Sequence, residues 1–197
     1  MAILAGRHHL DTDRGRILLT TLRAGLAAQA GHDLTIEPAS WSGELEVGAD
    51  AAPVSLEVRI DMSSLVVRDG SGGLKPLSDR DRREIAATAR KVLSVPRHPD
   101  ATFSATAFES ASPDQGGGDQ GGGVITGTLT LAGRSRPLRL AVRPSGPGGY
   151  VATASVTQSD FGIKPYAGFM GALKVADAVG VRVEVSLPQA AADGDRS

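Results

Sequence analysis

Five stretches of the chain alternate apolar with polar residues at a period of two, the spacing that puts every apolar side chain of an extended strand on one face. Trp41, Gly43, Leu45 and Val47 alternate with Ser42, Glu44 and Glu46; Val54, Leu56, Val58 and Ile60 alternate with Ser55, Glu57, Arg59 and Asp61. The same period returns at Ile125, Gly127, Leu129 and Leu131, at Leu138, Leu140 and Val142, and at Val181, Val183, Val185 and Leu187. One-sided strands in this number must turn their apolar faces toward each other, because an open sheet would wet one face and leave two adhesive edges. Rolling the sheet into a barrel meets both demands, and a barrel can enclose a guest.

A chain of 197 residues suits one domain. The expected division is a single barrel domain over residues 1–187 and a disordered tail over 188–197, where no apolar period survives. Hydrophobic residues make up 41% and charged residues 22%, which argues against general disorder, and no apolar run reaches the roughly 20 residues of a membrane span. With a formal net charge of -1 the chain lacks the clustered basic field that draws nucleic acid. There is no cysteine, so disulfides and thiolate chemistry are excluded. The first seven residues carry no signal core, and a cytoplasmic location is the expectation. Aromatics are only 4% against 25 glycines, so the interior is filled by small aliphatics that can leave a cavity.

The period predicts strands at 16–22, 33–37, 41–47, 54–61, 65–68, 102–109, 124–131, 138–143, 150–157 and 178–187. A short helical turn is expected over about 24–30, ending at Gly31, and a Gly-rich turn at 69–73. One helix is expected over about 79–93, with Ser78 as N-cap, Asp81 three residues on and Pro96 beyond its end. Ile85, Ala89 and Val92 form its apolar stripe, which suits a lid or plug. Residues 111–123, with two Gly-Gly-Gly runs, read as a mobile hairpin loop. The fold class is therefore all-β, an antiparallel barrel of about eight strands with one helix.

Motifs that carry chemistry are scarce. Residues 70–75 lack the phosphate-loop order, and the Gly run has no strand-then-helix frame. Asp160-Phe161-Gly162 spells a kinase triplet without the other kinase segments, and no serine sits in a nucleophile elbow. His8 and His9 are adjacent and point to opposite sides of a strand, so no metal site and no cofactor are expected. His32 and His98 read as structural or surface residues, although His32 with Asp33 or Asp160 could serve as acid and base. Residues 161–173 gather Phe161, Tyr166, Phe169 and Met170 among glycines and a proline, as a plug for one barrel end or as a ligand-lining or interface segment.

The order of several short motifs resembles the YceI-like family of lipocalin-like barrels. They are Leu10-Asp11-Thr12, Gly31-His32-Asp33-Leu34, Trp41-Ser42-Gly43-Glu44-Leu45 and Ile60-Asp61-Met62-Ser63-Ser64-Leu65, followed by His98-Pro99-Asp100-Ala101-Thr102-Phe103. Gly127 to Gly133 with Arg136-Pro137, then Ser159-Asp160-Phe161-Gly162-Ile163 and Val175-Ala176-Asp177-Ala178-Val179, complete a series that covers nearly the whole chain. The resemblance implies a deep apolar lumen for a polyisoprenoid or acyl chain, no catalytic machinery, and proteins that often pair as homodimers. Many relatives are exported, and the helix and the Gly-rich loop are local elaborations of the pattern.

The reading that follows is a non-enzymatic binder of a long-chain apolar ligand, a polyisoprenoid or fatty acyl lipid, for carriage, storage or sequestration. Trp41, Leu56, Val58, Phe103, Leu129, Leu140, Phe161, Phe169, Met170 and Val183 are expected to line or close the lumen, with His32 and Tyr166 touching a head group. Two alternatives stay open: a small barrel enzyme using His32 with Asp33 or Asp160 on a lipid-like substrate, and a filled barrel acting as a structural or interaction module.

Overall fold

The computed structural model describes residues 3–110 and 122–189. Its strands form one antiparallel sheet of twelve, more than the eight expected. The strands are β1 (Gly6–Asp11), β2 (Gly15–Ala24), β3 (His32–Pro38), β4 (Trp41–Val47), β5 (Pro53–Asp61) and β6 (Leu65–Gly72), then, after helix α1 (Asp79–Val92), β7 (Asp100–Ser110), β8 (Gly123–Leu131), β9 (Arg134–Pro144), β10 (Gly149–Thr157), β11 (Ala167–Gly168) and β12 (Leu173–Ser186). Their order across the sheet is β1-β4-β5-β7-β8-β9-β10-β12-β2-β3-β6, with β11 beside β12. The sheet curls: Leu10 of β1 and Ile17 of β2, far apart in that order, pack in one cluster with Trp41 and Leu45 of β4.

Alternation sets which face looks inward. In β4 the burial runs strictly buried, exposed, buried from Trp41 to Val47, and in β12 Val179, Val181, Val183 and Val185 face the interior while Arg182 and Glu184 face out. Glu184 accepts from Arg16 at 2.7 Å and from Arg182 at 2.6 Å, and these two guanidiniums hold its carboxyl below the ordinary value. Such pairs on a wet face contribute little stability each. Val54 departs from the pattern: a register shift between Glu46 and Val47 falls at this end of the β4–β5 pair, and Val54 is exposed.

Several bounds differ from the sequence reading for physical reasons. The Asp69-Gly70-Ser71-Gly72 run, expected as a turn, continues β6, because β3 supplies ladder partners from Thr35↔Asp69 to His32↔Gly72. Residues 24–30 form a turn with only Ala28–Ala30 in a 3-10 helix. β12 begins earlier than expected, at Leu173, and absorbs a bulge between Val175 and Val179. Of the expected tail, Pro188 accepts from the Leu4 amide and Gln189 bridges Ile3; residues 190–197 lie outside the described residues, as do 111–121 of the expected Gly-rich loop.

Helix α1 has the capping box that Ser78 and Asp81 foretell, each side chain bonding the other's backbone amide. Ala86 is buried against Leu34, Ile36, Met62, Leu65 and Val67, with Ile85 packed beside it. Arg82 and Arg90 reach back to β6, Arg82 donating to the Arg68 carbonyl and Arg90 to the Leu65 carbonyl. The helix is thereby tied across one end of the curled sheet. No helix among the described residues is long and apolar enough to cross a membrane.

Candidate functional site

The inner faces enclose a cavity of about 1110 Å³, just above the roughly 300–1,000 Å³ typical of ligand pockets. Every strand except β11 contributes to its wall, as does α1 through Ile85, Ala89 and Val92. The middle of the wall is aliphatic and aromatic: Leu56 and Val58 from β5, Phe103 from β7, Leu129 from β8, Leu140 from β9, Ala152 from β10 and Val183 from β12. Polar residues gather toward the ends. Arg23, His32, Lys75, Asp81, Glu84, Tyr166 and Lys174 ring the helix end, and Asp50, Glu109 and Tyr150 the other.

The space exists because the strands supply side chains too small to meet in the middle. Ala152 stands between Val142 and Val183 on the neighbouring strands, and all three face the same space. Leu56 and Val58 are only half-buried although they point inward. An inward apolar residue that keeps surface signals an unfilled interior.

Of the expected wall residues, Trp41, Leu56, Val58, Phe103, Leu129, Leu140, Tyr166, Phe169, Val183 and His32 line the cavity. Phe161 and Met170 do not. Phe161 ends the 3-10 turn Gln158–Phe161 and is buried with Ile163 and Val156 in the packed layer beside the wall. Met170 is fully exposed, thrown outward by a left-handed backbone at φ 52°. Among residues the sequence reading did not single out, Arg23, Lys75 and Lys174 reach the cavity's helix end. Arg23 is the inward member of the β2 alternation, so its place follows from Ile17, Leu19 and Thr21; Lys75 sits in the turn before α1 and Lys174 at the start of β12 ahead of its bulge, where no period holds.

The candidate acid and base groups are engaged in structure. The His32 ring meets the Lys75 carbonyl through Nε2 at 2.8 Å. Asp33 accepts from the Arg23 amide at 2.8 Å and lies 3.8 Å from its guanidinium. Asp160 is exposed on the 3-10 turn and is absent from the wall. On β1, His8 is buried and meets the Leu4 carbonyl while His9 faces solvent 3.5 Å from Asp11. Among the described residues no three His, Asp or Glu side chains converge as metal ligands would. Two wall polar atoms, Trp41 Nε1 and Thr21 Oγ1, lack a hydrogen-bond partner, each exposing under 1 Å². Neither atom is presented to the open space of the cavity.

The family model of the YceI-like domain matches residues 11–187. A UPF0312 protein of Shewanella sp. strain W3-18-1 is 29% identical over 133 residues, 63% of this chain and 61% of the relative. The chain thus spans 61% of the length of the Shewanella relatives it matches. Among solved structures, BcnA of Burkholderia cenocepacia superposes with a TM-score of 0.59 at 16% identity, over 88% of this chain and 96% of that one. A polyisoprenoid binding domain from Saccharophagus degradans, implicated in plant cell wall breakdown, superposes with a TM-score of 0.51 at 12% identity over 94% of this chain and all of that one. At such identities the superpositions speak to the fold.

Proposed function

The chain belongs to the YceI-like family, and from that membership we propose that it is a non-enzymatic binder of one long-chain apolar lipid, a polyisoprenoid or a fatty acyl chain, held in the barrel lumen. The observation that carries this reading is the continuous apolar cavity of about 1110 Å³ running through the barrel. Transfer of a hydrocarbon from water into such a space yields about 25 cal/mol per Å² of apolar area, so a long chain binds tightly without any directional contact. Trp41, Leu56, Val58, Phe103, Leu129, Leu140 and Val183 grip the chain, and His32, Tyr166 and Phe169 stand where a head group would emerge. The naming of the Saccharophagus neighbour as a polyisoprenoid binding domain supports the choice of ligand class.

The binding role is favoured over an acid-base one by the engagement of His32 with a backbone carbonyl and of Asp33 with Arg23. The deciding experiment is native mass spectrometry of protein purified without detergent, joined to displacement of a fluorescent polyene fatty acid by a long isoprenoid alcohol. One guest per chain, displaced competitively, is the expected result. Failure of any apolar chain to bind at saturating concentration would return the barrel to a purely structural role.

A further inference from the structure

We propose that the helix end of the barrel docks onto an anionic lipid bilayer, seating its apolar turn tips among the headgroups. Eight large hydrophobic side chains are exposed among the described residues, and six of them lie at this end: Leu22, Leu26, Leu74, Tyr166, Phe169 and Met170. Leu26 is 100%, Leu74 86%, Phe169 72% and Met170 108% exposed, far beyond the scattered surface leucines of an ordinary domain.

The segments bearing them adjoin one another. The Ala27 amide donates to the Ala172 carbonyl at 2.9 Å, which sets the Leu26 turn against the Phe169-Met170 turn. Arg23 lies across from Val175 in the β2–β12 ladder, and the Arg23 guanidinium donates to the Gly31 carbonyl at 3.0 Å. His32 next to Gly31 then holds the Lys75 carbonyl, which brings in the turn that carries Leu74. Phe169 and Met170 stand out because their backbones are left-handed, at φ 49° and 52°, a conformation that disfavours side chains of their size. A fold that holds two bulky apolar residues in strained backbone and in water has a use for them outside the molecule.

Charge selects the partner. Segments 22–31, 72–77 and 162–174 carry Arg23, Lys75, Lys164 and Lys174 and not one carboxylate, in a chain whose formal net charge is -1. Of the nearby acids, Asp33 holds the Arg23 amide, Asp81 holds Ser78 and Glu84 pairs with Arg80, while Asp79 and Asp160 stand exposed just outside these segments. Lys75, Lys164 and Lys174 are exposed and have no carboxylate within ion-pair distance among the described residues. Apolar tips ringed by basic side chains match an anionic membrane surface, where the rings enter the interface and the ammonium groups meet phosphates. A second copy of the chain fits less well, because two-fold pairing through this patch would set Lys75, Lys164 and Lys174 against the same three lysines, while Asp33, Asp81 and Glu84 are already engaged within the chain.

The test is flotation of the purified chain with vesicles of phosphatidylcholine alone and of phosphatidylcholine with about one quarter phosphatidylglycerol. Binding is expected to the anionic vesicles and to fall with added salt. The triple variant Leu26→Ser, Leu74→Ser, Met170→Ser and the double variant Lys75→Glu, Lys174→Glu should each weaken it by at least about tenfold; Val54→Ser at the opposite end should leave it unchanged. On the unaltered protein, hydrogen exchange with and without vesicles should show protection confined to the three turns. Absence of binding to the anionic vesicles, equal binding by the triple variant, protection elsewhere, or a stable dimer that ignores vesicles would each overturn the proposal. Uptake of a fatty acid in vesicle-free solution reports the lumen separately, so the two readings fail independently.

Discussion

The ring of Phe103 lies over Gly127: a Cβ placed on that glycine would stand 2.6 Å from Phe103 Cζ. Phe103 pairs with Leu129 and Gly127 with Ala105 in the β7–β8 ladder, so the ring runs diagonally onto the place a side chain would take. The bare glycine leaves room at the wall for the tip of the aromatic ring. The same Cβ would stand 2.3 Å from the Ser104 carbonyl oxygen, so Gly127→Ala must shift the β7 backbone as well as the Phe103 ring and should lower stability by about 1–3 kcal/mol, read by urea unfolding, with guest affinity reduced. An unchanged midpoint and affinity would show that both the β7 backbone and the ring have room to yield.

Filling the lumen directly makes a cleaner test of binding. Ala152 faces the cavity from the middle of β10 between Val142 and Val183. Ala152→Phe puts a ring into open space, so overpacking should be small while long-chain guests lose affinity by at least about tenfold. Short-chain guests that stop before the obstruction should lose less. Equal loss for all chain lengths would argue that the guest enters only one end.

Asp61 accepts from the Ser63 hydroxyl at 2.6 Å and from the Ser63 amide at 2.8 Å, capping the 3-10 turn Met62–Ser64 through which β5 passes into β6. These bonds hold its carboxyl below the ordinary aspartate value. A depressed carboxyl stabilises the fold fully above its unfolded value of about 3.9, and that contribution fades as pH falls through the folded value. Asp61→Ala should lose about 1 kcal/mol at neutral pH, and its gap from the parent should close as pH falls from about 5 toward 2. Urea titrations at several pH values measure this, and a gap that stays constant into acid would assign the effect to something other than the carboxylate.

Period-two alternation made most of the barrel legible, because a strand with one face on the lumen and one in water must alternate. β4, with Trp41, Leu45 and Val47 buried and Ser42, Glu44 and Glu46 exposed, is the plainest case. The pattern failed where another force set the strand. β1 turns His8 and Leu10 inward, and a histidine that satisfies itself on the Leu4 carbonyl breaks an apolar count. β6 runs on through two glycines because β3 offers ladder partners that no local signal reveals. In the site, wall residues on regular strands such as Leu129 and Val183 could be read from parity alone. Phe161 and Met170 could not, since both sit where the backbone leaves the extended state and parity no longer says which way a side chain points.

That difference in placement separates two roles that hydrophobicity alone confuses. Phe161 is 4% exposed and packs among Val156, Ile163 and Leu140, whereas Leu56 faces the cavity and is only half-buried. Phe161→Ala should open a void in packed structure and lower stability by about 3–5 kcal/mol, leaving guest affinity little changed in whatever protein remains folded. Leu56→Ala merely widens a space already open, so it should fall below the roughly 2–5 kcal/mol usual for a buried leucine, while its loss is felt by the guest. Thermal unfolding with and without a bound fatty acid distinguishes them: the stabilisation conferred by ligand should shrink in Leu56→Ala and persist in Phe161→Ala. The reverse pattern would place the guest beside Phe161 and outside the lumen.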